Sequence, residues 1–189
     1  MFQKILVSIL KSLYQFTGAS LLIAFLSMFL LFFMEQEGFK NSILYLYKRM
    51  KEEKVYRMYF AFLFYLSMVL FRTVLCRNIW SNPLSNILGI WGLYDANGVL
   101  YTENIENVLL FIPFTFLLKS IEYRRGKCFT YSFPHLLVIS FCPSLAIEML
   151  QFFLKVGTFQ LSDLFYNTIG GLIGGLIFRL NLKVKRKEP

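Results

Sequence analysis

Residues 147–175 read IEMLQFFLKVGTFQLSDLFYNTIGGLIGG: two apolar runs joined by a short loop, with Glu148, Gln151, Asp163 and Asn167 set inside them. Glu148 and Gln151 stand three apart and share one helix face, while Asp163 and Asn167 stand four apart and share another. The second stripe continues through Gly170, Gly171 and Gly174. Gly170/Gly174 and Gly171/Gly175 form two overlapping small-xxx-small pairs, the pattern that lets a neighbouring helix approach closely in a membrane. An ionisable residue inside a span costs at least about 2.5–3.5 kcal/mol on insertion scales, so it faces a protein interior or a water-filled cavity rather than lipid.

The composition sets the same context. The 189 residues are 57% hydrophobic, 19% aromatic and 16% charged, with mean hydropathy +0.55. Soluble domains are about 45–50% apolar and about 25% charged, and so short a chain cannot hide this much apolar surface from water. A transmembrane helix needs about 20 mostly apolar residues. Candidate spans are 12–34, 56–76 (which carries Arg72), 103–121, 133–154 and 161–180. The third has only NVLLFIPFTFLL as its uncharged centre, short enough to suggest a thin or re-entrant helix. The first is too long for a signal peptide and lacks a small-residue cleavage site. The predicted fold is all-α: a polytopic membrane helix bundle of about five transmembrane helices with a long outer loop between the second and third.

Net charge +9 does not point to nucleic acid, because the basic residues sit between the apolar spans. The linker 35–57 holds Lys40, Lys48, Arg49, Lys51, Lys54 and Arg57; the loop 119–127 holds Lys119, Arg124, Arg125 and Lys127; the tail holds Arg179, Lys183, Lys185, Arg186 and Lys187. The positive-inside rule places these three segments in the cytoplasm. The C-terminus is then inside and the N-terminus outside, despite Lys4 and Lys11. In the linker, Ile43, Leu46, Tyr47 and Met50 recur at helical spacing, which predicts an amphipathic helix on the inner leaflet. The outer loop 77–104 carries Pro83, Gly89, Gly92 and the turn signal Asp95-Ala96-Asn97-Gly98. Its Trp80, Trp91, Tyr94 and Tyr101 suit an interfacial belt, a lid or a partner surface. The cysteines Cys76, Cys128 and Cys142 are scattered and His135 is the one histidine, so no disulfide framework, metal site or cofactor is indicated. The chain divides into 1–54 (first helix and amphipathic linker), 55–181 (membrane core) and 182–189 (basic tail).

With that topology, Arg72, Asn107, Glu148, Gln151, Asp163 and Asn167, on four helices, converge on the outer-leaflet half of the bundle. Arg72 is expected to pair with Glu148, Asp163 or both. Two readings fit: an internal network that fixes helix register, or an outward-facing polar pocket for an amphipathic ligand with a polar head and a lipid tail. Pro113 frees the carbonyl of Leu109 and offers a bend towards that region. Glu148 and Asp163 are acid–base candidates if burial separates them, but no nucleophile motif accompanies them. A membrane-embedded hydrolase or transferase acting on a polyprenyl-phosphate or lipid head group is therefore the alternative to a binder. A transporter needs polar groups in both leaflets, and the inner half shows few.

Several segments carry a family resemblance. ENIENVLLFIPFTFLL (103–118) resembles an Asn followed by Phe-Ile-Pro-Phe-Gly; IEMLQFF (147–153) is similar to a Glu-x-x-Gln helix; LSDLFYNTIGGLIGG (161–175) is similar to an Asp-x-x-x-Asn-Thr-x-Gly-Gly element. YLSMVLFRTVL (65–75) resembles the helix before the outer loop. In order and spacing these resemble the VanZ-like family of bacterial membrane proteins, over roughly residues 55–181. Thr115 stands where that family has Gly, Gln160 where it often has Asp, and 156–159 lack an Arg frequent just upstream. The resemblance implies a role in resistance to glycopeptide antibiotics of the teicoplanin and lipoglycopeptide type, or in envelope homeostasis. The expected partner is a membrane lipid, such as a lipid-linked cell-wall precursor.

Overall fold

In hydrocarbon every backbone donor and acceptor must be satisfied within the chain, which leaves helices as the solution for long apolar runs. A computed structural model of the chain describes residues 2–33, 38–75, 77, 82–92, 94, 98, 101–126 and 132–185. The expectations that fall on Cys76, Trp80, Asp95, Ala96, Asn97, Lys127, Cys128, Arg186 and Lys187 lie outside the described residues. The helices are α1 (Phe2–Phe33), α2 (Phe39–Glu52), α3 (Lys54–Leu70), α4 (Glu103–Arg124), α5 (Phe133–Leu154) and α6 (Leu161–Lys185). A π-helical turn, Phe71–Leu75, prolongs α3. Among the described residues five helices, all but α2, are long and apolar enough to cross a membrane. The exterior is apolar, with Leu22, Leu30, Phe153 and Leu180 exposed, while Ser20, Thr115, Ser140, Ser144 and Ser162 are fully buried. That is the inside-out polarity of a chain solvated by lipid.

Two sequence expectations change. The third span is no thin or re-entrant segment: α4 runs unbroken for 22 residues, about 33 Å at 1.5 Å per residue. Its polar ends are helix as well, with Glu103 and Glu106 in the first turn favouring the positive helix N-terminus. Lys119 accordingly belongs to α4 and not to a loop; it is 1% exposed and bonds Glu122 at 2.8 Å. With Thr115, Ser120 and Ser140 also buried, the half of the bundle towards the α4 C-terminus is more polar inside than its sequence suggested. Near Pro113 the Tyr65 hydroxyl donates to the Leu110 carbonyl at 2.6 Å, one residue on from Leu109.

Close packing of α4 and α6 organises the bundle. A Cβ at Gly170 would lie 2.1 Å from the Val108 carbonyl oxygen, and one at Gly174 2.2 Å from that of Ile112. The partners advance together, so α4 and α6 run parallel with backbones in contact. The other glycine face meets α5 running the opposite way: Gly171 abuts Ser140 and Gly175 abuts Leu136. Val69, Val74, Phe111, Phe114, Ile147 and Val156 form the core shared by α3, α4, α5 and the α5–α6 loop. On the other side, Met28, Phe32 and Leu46 join α1 to α2. The amphipathic face of α2 (Ile43, Leu46, Tyr47, Met50) lies over Phe25, Met28 and Phe60 around a cavity of about 300 Å³. Arg57 donates to the Met50 and Lys51 carbonyls, both at 2.9 Å, and so caps α2.

Gly174→Val drives side-chain atoms into the α4 main chain and should destabilise by about 1–3 kcal/mol, seen as a lower thermal unfolding midpoint in detergent. Gly18→Ala, in the interior of α1 where an added Cβ meets nothing within 4 Å, should leave the midpoint unchanged or slightly raised.

Candidate functional site

The end of α3 and the start of α4 build a polar wall. The π turn turns the Thr73 carbonyl outward from the ladder, and Gln151 of α5 donates its Nε2 to it at 2.8 Å. Beside it Arg72 forms an ion pair with Glu106, whose other oxygen accepts from Thr102 Oγ1 at 2.9 Å. A turn further out, Arg77 pairs with Glu103 at 2.9 Å, and the Tyr101 hydroxyl donates to the same carboxylate. Burial, reinforced by that bond, holds the Tyr101 phenol well above its ordinary pKa. These six side chains, with Thr73 and Asn107, line a cavity of about 350 Å³.

The six residues singled out in the sequence divide at this wall. Arg72 and Asn107 line the cavity. Glu148 and Gln151 are 1% exposed, Asp163 and Asn167 3%: these four are sealed behind it, between α4, α5 and α6. The ion-pair partner of Arg72 in the structure is Glu106, in place of the expected Glu148 or Asp163. Glu148 Oε2 instead accepts the Gln160 backbone N–H at 2.9 Å, so Gln160 holds it through main chain whatever side chain stands there. Asn167 Nδ2 donates to Ser144 Oγ at 3.1 Å. The Asn107 side chain faces Asp163, yet its Nδ2 makes no hydrogen bond of ordinary geometry. Gln151 Oε1, Asp163 Oδ1, Asn167 Oδ1 and Thr115 Oγ1 are likewise buried without a hydrogen-bond partner.

Glu103, Glu106 and Arg77 were not singled out by sequence as site residues. In ENIEN the two carboxylates stand three apart with Asn107 beside them, a face that helical spacing would have disclosed. Arg77 carried no comparable signal. Its guanidinium reaches across to the α5–α6 loop, where a Cβ on Gly157 would come within 3.1 Å of Nη1. The loop whose sequence lacks an arginine is thus supplied with one from beyond α3.

Residues 82–92 of the long loop dock on the start of α6. Pro83 and Ile87 carbonyls accept from Phe159 and Leu161 N–H at 2.9 and 2.8 Å. Asn104 Nδ2 donates to the Ile90 and Gly92 carbonyls at 2.9 and 2.6 Å. Trp91 packs on Phe165 with ring centroids 5.3 Å apart. Gly89, at φ +71, comes so close to α6 that a Cβ would sit 1.8 Å from Ser162 Oγ; only glycine fits. Residues 82–92 therefore close the sealed carboxyls off at the start of α6.

Below the polar wall, α5 meets α3 chiefly through the π turn. The gap beneath is an apolar cleft of about 200 Å³, lined by Leu66 and Leu70 of α3, Phe114 of α4, and Pro143, Ile147 and Leu150 of α5 among others.

Comparison with known proteins fits this architecture to a family. The family model described as VanZ/LLP1 matches residues 16–182. The match takes in most of α1 and all of α2, which the sequence motifs alone had left outside. Protein VanZ of Enterococcus faecium is 35% identical over 83 residues, 44% of this chain and 48% of the relative. The chain thus spans about half the length of the curated relative it matches. No solved structure matches it.

Gln160→Ala keeps the backbone bond to Glu148 and loses only side-chain bonds to Thr158 and Ser162; its unfolding midpoint should fall slightly. Gln160→Pro deletes the N–H and leaves a buried carboxyl without its donor, a cost of about 1–3 kcal/mol. Equal midpoints for the two variants would contradict the role given to the Gln160 backbone.

Proposed function

The chain belongs to the VanZ family, and we propose that it binds a lipid-linked envelope component at the outer face of the bacterial cytoplasmic membrane, and thereby contributes to resistance to teicoplanin-type and lipoglycopeptide antibiotics. The observation that carries this reading is the adjacency of two differently lined spaces: the polar cavity of Arg72, Arg77, Tyr101, Glu103, Glu106 and Asn107, and the apolar cleft one to two turns below it on α3 and α4. An amphipathic molecule with a polar head and a hydrocarbon tail matches that pairing. The basic residues near α2 and the α4 C-terminus lie at the other end of the bundle, so the positive-inside rule turns the cavity outward.

A binding role also suits the energetics. Interhelical hydrogen bonds in membranes contribute about 0.6 kcal/mol each, little for a structural network, whereas ionisable groups gathered within or beside spans mark ligand or ion sites. The acid–base candidates Glu148 and Asp163 lie behind the wall rather than on it, which favours binding over turnover.

Arg72→Ala leaves Glu106 without its partner and opens the head-group site. Lipids co-purifying with wild-type protein, identified by mass spectrometry, should include an envelope lipid lost from this variant. Cells expressing the variant at normal membrane levels should fall to the teicoplanin susceptibility of cells without the protein. Identical lipid profiles and undiminished resistance would sink the proposal.

A further inference from the structure

The sealed groups behind the cavity wall are unused by the lipid reading, and they have a chemistry of their own. Glu148 and Asp163 are 1% and 3% exposed, and they are close enough to influence one another electrostatically. Among the described residues, neither stands in ion-pair contact with a cation; the nearest guanidinium, Arg77, is engaged by Glu103. Two buried carboxyls that face one another have lost hydration and repel when charged, an arrangement that a bound positive charge relieves.

The atoms around them are unpartnered oxygens. Asp163 Oδ1 and Asn167 Oδ1, one helical turn apart on the same face of α6, have no hydrogen-bond partner, and neither does Gln151 Oε1, one turn from Glu148 on α5. Glu148 uses only Oε2, on the Gln160 N–H. Ser144 Oγ approaches from α5 through its bond with Asn167, and Asn107 from α4 faces Asp163. Carboxylate, amide and hydroxyl oxygens thus converge from α5 and α6, while the Asn107 amide nitrogen of α4 stands beside Asp163. An all-oxygen set suits a hard cation or a proton. Two carboxyls, with Glu103 engaged by Arg77 and no cluster of three acidic, histidine or cysteine ligands among the described residues, suit one positive charge better than a divalent ion. We propose that Asp163, Glu148, Asn167 and Ser144 form a buried binding site for a monovalent cation, sodium or a proton, between α5 and α6. None of these four residues lines the lipid cavity. The charged and titratable groups that face it are Glu103 and Tyr101 from α4 and the segment preceding it and Arg77 from beyond α3.

The test uses full-length protein in lipid nanodiscs, with thermal unfolding followed at pH 6.0 and 8.5 in sodium chloride and in choline chloride of equal ionic strength. A cation that binds only the folded state raises the midpoint. For sodium, the midpoint at pH 8.5 should rise by about 5 °C over choline, and the difference should shrink at pH 6.0 as protons compete. For a proton alone, the midpoint should rise on acidification equally in both salts. Either pattern supports the site, and either should vanish in the isosteric variants Asp163→Asn and Glu148→Gln while persisting in Arg72→Ala. A wild-type midpoint indifferent to both sodium and pH overturns the proposal. So does a dependence that survives in both isosteric variants, or a stabilisation by calcium chloride exceeding that by sodium. Because Arg72→Ala tests lipid binding and leaves these four residues intact, failure of one proposal does not entail failure of the other.

Discussion

Contact between the glycine face of α6 and the main chain of α4 is the constraint on which the remaining geometry depends. Side chains at 170 and 174 would strike the carbonyls of Val108 and Ile112, so the two helices can lie this close only without them. In lipid no hydrophobic force drives helices together, and close van der Waals packing of this kind takes its place. The parallel register it imposes sets Asn107 beside Asp163. It also puts the first turn of α4, with Glu103 and Glu106, at the level where α3 ends in its π turn. The opposite glycine edge seats α5 through Ser140 and Leu136, which brings Ser144 to Asn167 and Glu148 to the loop before α6.

From that frame follows a division of polar groups by access. Those reached from the cavity form two carboxylate–guanidinium pairs, Arg72 with Glu106 and Arg77 with Glu103. Those behind it are uncharged amides and hydroxyls around two carboxyls, closed off by the docked segment 82–92. The first group can exchange partners with a ligand that brings its own charges. The second can change only by taking up or releasing something small.

Much of this was legible in sequence. Apolar runs of sufficient length disclosed the spans, and spacings of three and four disclosed the stripes Glu148/Gln151 and Asp163/Asn167/Gly170/Gly174. What periodicity does not carry was missed. The partner of Arg72 depends on how α3 and α4 sit side by side, and Glu106 in a first helical turn reads equally well as a favourable charge at a helix N-terminus. The reach of Arg77 to Gly157 spans two loops, and nothing in FRTVL marks a π turn. Ser140 and Ser144 carry no sequence signal of their own, and only their burial at 0% exposure beside α6 makes them part of the polar interior. The third span looked short because its charged ends were counted against it, although Lys119 is held inside by Glu122.

The most direct measurement is a cryo-electron-microscopy map of the full chain in nanodiscs formed from native membrane, with an antibody fragment to add mass. The account predicts density for a polar head group within hydrogen-bonding distance of Arg72 and Arg77, continuous with a hydrocarbon chain lying between Leu66, Phe114 and Leu150. A well-ordered map with water alone between those arginines, and α3 closed against α5 below them, would contradict it.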